Sequence, residues 1–134
     1  MSASPPEGFE PMRRSGAFVD GIGPFYEIRT GAGWRFGVRV EERHTIATGV
    51  AHGGLVMSFL DHVLGKLVWE ALGDRIAATV SLNTDLVAAA RPGDWIEAEG
   101  EVTRKSSSLV FARGRAYVGE STLATAAGVW KVLR

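Results

Sequence analysis

The chain has 134 residues, 46% of them hydrophobic, and carries 15 lysines and arginines against 15 aspartates and glutamates. That length suits one domain, residues 1–134, with a sizeable core, and the composition excludes general disorder. Zero formal charge argues against a general nucleic-acid or membrane-surface binder, and the absence of cysteine removes disulfides, thiolate metal sites and cysteine nucleophiles.

The N-terminus has no apolar core, so a signal peptide is not expected. Without a run of about 18 apolar residues, neither is a membrane span. A reducing, cytoplasmic setting fits the missing cysteines. Residues 1–8 hold two prolines, two serines and a glycine and are expected to be disordered. Residues 9–20 predict a short helix and a turn, closed by Gly21, Gly23 and Pro24. Phe25–Arg29 reads as a strand. Trp34, Phe36, Val38 and Val40 then alternate with polar or small residues, the period of a half-buried strand. Thr30-Gly31-Ala32-Gly33 between them reads as a hairpin turn.

A glycine-punctuated loop, residues 43–54, leads into one long helix over 55–72 that ends at Gly73. Leu55, Val56, Phe59, Leu60, Val63, Leu64, Leu67 and Val68 cover most of its circumference, so the helix is expected to be buried. Four β-rich segments follow, at 77–88, 95–105, 109–118 and 123–133. Their separators are tight: Arg91-Pro92-Gly93-Asp94, the serines 106–108, and Gly119-Glu120-Ser121. One long helix among six strands predicts an α+β fold, with a curved antiparallel sheet wrapped around the helix.

Asp61 sits in the middle of this apolar helix, where burying a lone carboxylate costs several kcal/mol. It is a functional candidate or a member of a polar stripe with His62, Lys66 and Glu70. Ahead of the helix, Gly49, Gly53 and Gly54 surround His52. Unpaired N–H groups at a helix start carry positive partial charge, and glycine lets a ligand approach them. That suits a thioester carbonyl and the oxyanion it becomes. Gly53 and Asp61 are eight residues apart, about 12 Å along one helix, too far to act on one carbon. If both act, Asp61 must meet Gly53 of a second, antiparallel chain, giving two sites per dimer.

The stretch GVAHGGLVMSFLDHVLG, residues 49–65, resembles the signature of PaaI-like hotdog-fold acyl-CoA thioesterases, with an acid nine residues after the histidine of HGG. The resemblance runs from about Gly8 to Leu133 and takes in GFEPM, GPFYEIR and LVAAARPGD. It implies Asp61 as nucleophile or general base, the Gly53 N–H as the group that polarises the carbonyl, His52 as a brace for the loop, and Thr79 as the group that orients water. It implies an acyl-CoA substrate with no separate cofactor, and a homodimer or a homotetramer built of two dimers. One position departs from the pattern: Ile46 stands where such proteins usually carry asparagine, with Thr45, Thr48 or His44 as candidate replacements.

The three histidines lack the spacing of a metal site, and there is no G-x-S-x-G or dinucleotide fingerprint. Arg104, Lys105, Ser106 and Ser107, joined by Arg91 and Gly54, are the candidate substrate-binding groups, the cations as a clamp for CoA phosphates. A hydratase or dehydratase and a non-catalytic acyl-CoA-binding protein are the alternative readings.

Overall fold

A computed structural model of the chain describes residues 4–73 and 75–133. In chain order it contains β1 (Glu10–Pro11), α1 (Ala17–Ile22), β2 (Tyr26–Thr30), β3 (Gly33–Arg39), a single 3-10 turn (Glu42–His44), α2 (Gly53–Ala71), β4 (Ala77–Leu86), β5 (Trp95–Lys105), β6 (Leu109–Val118) and β7 (Ser121–Val132). One antiparallel sheet has the order β1-β2-β3-β5-β6-β7-β4. It wraps the long helix α2, so the α+β hotdog expectation holds.

Three expectations change in detail. The sheet has seven strands instead of six, because the two-residue β1 adds to the edge of β2, where Pro11 is tolerated. The short helix predicted over 9–20 starts only at Ala17, since Pro11 and Gly16, whose φ is +94°, interrupt it. Of the segment expected to be disordered, residues 1–3 lie outside the described residues. Residues 4–8 are held: the Pro6 carbonyl accepts the Phe9 N–H, and Arg39 donates to the Ser4 carbonyl.

The core forms where α2 lays its apolar face on the concave side of the sheet. Leu55, Val56, Phe59, Leu60, Val63, Leu64 and Val68 are buried against Phe36, Val38, Ile96, Val110, Ala124 and Trp130. Fully burying each such large side chain contributes about 1.5–3 kcal/mol.

The sequence predicts a helix buried on every side, but α2 is not enclosed all round. On one flank, Lys66 pairs with Glu27 (2.5 Å), and Glu70 accepts hydrogen bonds from Trp34 and Arg29. The expected polar stripe is therefore a clamp that fastens the β2–β3 hairpin to the helix. On the other flank, beside the sheet's outer strand β4, Met57 (42%), Trp69 (42%), Val80 (62%) and Leu86 (47%) stay exposed.

Candidate active site

Asp61 lies on that open flank, half-buried, one turn from Met57 and two from Trp69. Its Oδ1 accepts a hydrogen bond of 2.8 Å from the Thr79 hydroxyl. Two residues 18 apart in sequence thus meet, where the resemblance implied only that Thr79 orients water.

A β-bulge makes the meeting possible. Thr79 pairs with Trp130 and Ser81 with Val129, leaving Val80 as the extra residue on β4. An inserted residue switches the alternation of the strand. Ala77 and Thr79 face the helix before it; Leu82, Thr84 and Leu86 take over that face after it. The buried Thr84 hydroxyl on this face has no hydrogen-bond partner among the described residues. No feature of the sequence marked this hydroxyl, because the bulge that turns it inward depends on the pairing of β4 with β7.

At the start of α2, His52 is the N-cap. Its Nδ1 accepts the Gly54 N–H at 2.7 Å, and its own N–H donates to the His44 carbonyl at 2.8 Å. This network assigns the remaining proton of a neutral His52 to Nε2. His52 therefore caps the turn through its side chain. Gly54 does not stand free for substrate, since its amide is spent on the cap. The Gly53 N–H has no acceptor among the loop's backbone bonds, leaving it as the first-turn donor. A Cβ at 54 would come within 2.9 Å of the His52 ring that caps the helix, whereas one at 53 would meet only the end of the exposed Leu86 side chain, at 2.6 Å.

Ile46 projects from the preceding loop, 41% exposed. Of its candidate replacements, Thr45 gives its hydroxyl to the Glu42 carbonyl, and the His44 ring is buried on the Ile22 carbonyl and the Glu41 N–H. Thr48 is exposed in the loop.

Next to Asp61, burial is the main reason that the pKa of His62 lies below 6.5; Lys66 pushes the same way, against the charges of Asp61 and Glu27. A neutral ring suits its place against Phe25.

The candidate phosphate clamp divides in two. Arg91 belongs to the turn beside the helix start, where the Ala90 carbonyl accepts the Ala51 N–H. Arg104, Lys105, Ser106 and Ser107 lie at the far end of β5, about 33 Å away for eleven residues. Lys105 donates to the Ala71 carbonyl and caps the end of α2, and the Ser106 hydroxyl closes its own hairpin on Leu109. Arg91 and Arg104 of one chain therefore cannot grip one phosphate group.

A groove of about 1200 Å³ opens elsewhere, lined by Trp34, Leu67, Glu70, Glu99 and Arg113 among others, and includes none of Asp61, Gly53 and Thr79. Among the described residues there is no cluster of three potential metal ligands, and no helix is long and apolar enough to cross a membrane.

Comparison with known proteins agrees with this geometry. Residues 48–125 match the family model of the thioesterase superfamily. A Pseudomonas aeruginosa protein named as a candidate esterase is 36% identical over 128 residues, covering 93% of this chain and 95% of that one. Among solved structures, a Bacillus halodurans protein crystallised with CoA superposes with a TM-score of 0.82 at 21% identity, covering 91% of this chain and 82% of that one. A phenylacetic acid degradation-related candidate thioesterase from Ralstonia eutropha gives 0.78 at 19% identity, covering 92% of each. The last two comparisons carry the fold. The family match and the curated relative carry the membership: this chain, with its hotdog fold, belongs to the thioesterase superfamily.

Proposed function

We propose that the chain hydrolyses an acyl-CoA thioester to the free acid and CoA at a site completed by a second copy of itself. The observation that carries this reading is the Thr79–Asp61 hydrogen bond on an open helix flank. One carboxylate oxygen is held by Thr79, and the other is left to act on water or on the thioester carbon. Gly53 of the facing copy supplies the N–H that stabilises the oxyanion. In the base route, Asp61 takes a proton from water as the oxygen bonds to the carbonyl carbon; the C–S bond breaks and the CoA thiolate takes up a proton. In the nucleophile route, Asp61 itself forms the C–O bond as the C–S bond breaks and the CoA thiolate leaves and takes up a proton; water then cleaves the anhydride. In single turnovers in ¹⁸O-water, label in Asp61 establishes the nucleophile route, with water attacking the Asp61 carbonyl of the anhydride.

Support comes from the thioesterase family match and from the CoA bound to the Bacillus halodurans relative in fold. The test is release of thiol from a panel of acyl-CoAs. Asp61→Asn keeps the acceptor for Thr79 but is neither a base nor an efficient nucleophile, so kcat should fall about 10²–10⁴-fold with binding kept. Turnover near that of the wild type would rule Asp61 out. Ile46, apolar where the family usually has asparagine, favours the second reading of a binding protein that does not turn over. Tight acyl-CoA binding by the wild type with no thiol release would establish that reading instead.

A further inference from the structure

His44 is the one polar or charged side chain among the buried residues described, at 6% exposure. It makes bonds in three directions. Its Nδ1 accepts the Glu41 N–H at 2.9 Å, and Nε2 lies 2.6 Å from the Ile22 carbonyl. Because Nδ1 accepts a backbone N–H, the ring must be neutral with its proton on Nε2, where the carbonyl receives it. Its own carbonyl accepts the N–H of His52, the N-cap of α2, at 2.8 Å.

Arg43 strengthens the same anchor. Its guanidinium donates to the Gly21 carbonyl at 2.5 Å, to the Gly23 carbonyl, and to the Glu41 carboxylate. Three successive carbonyls at the end of α1 are thus taken up by two neighbouring side chains. The segment between this anchor and the N-cap is a closed tongue. Thr45 pairs with Ala51, Ile46 donates to Val50, and Ala51 donates to Ala90.

We propose that His44 is the positioning residue for the oxyanion donor: its ring fixes the Glu41–His44 turn on α1, and its carbonyl transmits that placement to His52 and so to the Gly53 N–H. The catalytic half of this inference rests on the proposed role of Gly53; the structural half does not. A buried histidine that is only well satisfied would support stability alone. This one holds the residue whose side chain shapes the first turn of α2, so its loss should displace the donor as well. A shift near 1 Å at a reacting group costs up to about 10²-fold in rate.

Three variants separate the bonds. His44→Gln keeps a donor for Ile22 and loses the acceptor for Glu41. His44→Asn does the reverse, and His44→Ala loses both. Amide exchange by NMR and steady-state kinetics on an acyl-CoA are read together. In His44→Ala the His52 and Gly54 amides should exchange at least about tenfold faster, and kcat should fall about 10- to 100-fold with KM within about threefold. The glutamine and asparagine variants should each recover part of both losses. If His44→Ala does not fold, those two are compared directly with the wild type. Variants that melt earlier but keep wild-type kcat and wild-type Gly54 exchange would overturn the proposal. If the wild type hydrolyses no thioester, the proposed function fails, while the exchange data still decide whether His44 holds the turn.

Discussion

At the scale of single residues, Thr79 holds the Asp61 carboxylate through a hydroxyl whose placement depends on the bulge at Val80. The glycines around His52 and the acid nine residues later were readable because a helix start and a carboxylate in an apolar helix both need explaining. The use of Gly54 by the cap was not anticipated, although a histidine followed by two glycines at a helix start is the kind of pattern that signals it. The partner of Asp61 was unreadable from spacing, since it depends on a bulge; only the family likeness pointed to Thr79. Its role has its own test. Thr79→Val removes the donor and keeps the shape, and should lower kcat about tenfold or more, while Thr79→Ser restores most of it. Equal kcat in all three proteins would show that the hydroxyl does not position Asp61. Buried His44 and partly buried His62 give a second expectation. Burial lowers the pKa of both His44 and His62 below 6.5. The unfolded chain then binds more protons than the native one as pH falls below 6.5, so the stability of neutral rings is complete above that value and is lost through the acid side of it. Thermal melts should show a plateau above pH 7 and a falling Tm from 6.5 toward 5, flatter in His62→Gln. A Tm unchanged between pH 7 and 5.5 would contradict this.

At the scale of elements, α2, β5 and β6 were legible because each carries a long, unbroken pattern between strong separators: β5 and β6 have the predicted bounds, and α2 starts two residues early. β1 was not legible, because two residues show no period and the strand exists only through its pairing with Tyr26 and Glu27. The 104–108 turn shows how placement alters a functional reading. Lys105 serves the end of α2, where a cation next to unpaired carbonyls contributes about 0.3–1 kcal/mol. Ala71 lies ten residues beyond Asp61, about 15 Å along the axis, so under the proposed function the exposed Arg104 would be the one to meet an extended ligand's phosphates. Arg104→Ala should therefore raise KM for acyl-CoA with kcat kept, in a salt-sensitive way, as expected for lost binding remote from the reacting atoms. Lys105→Ala should lower Tm and leave KM nearly unchanged. A KM that rises equally in both variants would return Lys105 to the ligand.

At the scale of the whole molecule, one chain folds around a core but presents an unfinished flank. Met57, Trp69, Val80 and Leu86 line it, Asp61 lies among them, and β4 runs along it as the last strand of the sheet. Apolar side chains beside an unpaired strand edge call for a partner. Under the proposed function, the partner that would also complete the chemistry is a second copy, because Gly53 and Asp61 of one helix stand about 12 Å apart. The helical distance needs only counting, whereas the open flank depends on which residues the sheet covers. Val80 offers the cleanest probe, since the bulge leaves it unpaired and 62% exposed, outside the core. Val80→Glu places a charge on the joining surface, and two copies related by a two-fold axis would bring two such charges into it. The variant should keep its secondary structure and melt cooperatively, sediment as a monomer, and lose nearly all thioester hydrolysis. Asp61→Asn should remain a dimer and also be inactive. A Val80→Glu monomer that turns over acyl-CoA at the wild-type rate would place the whole reaction within one chain, and would remove the role given to Gly53 of the second copy.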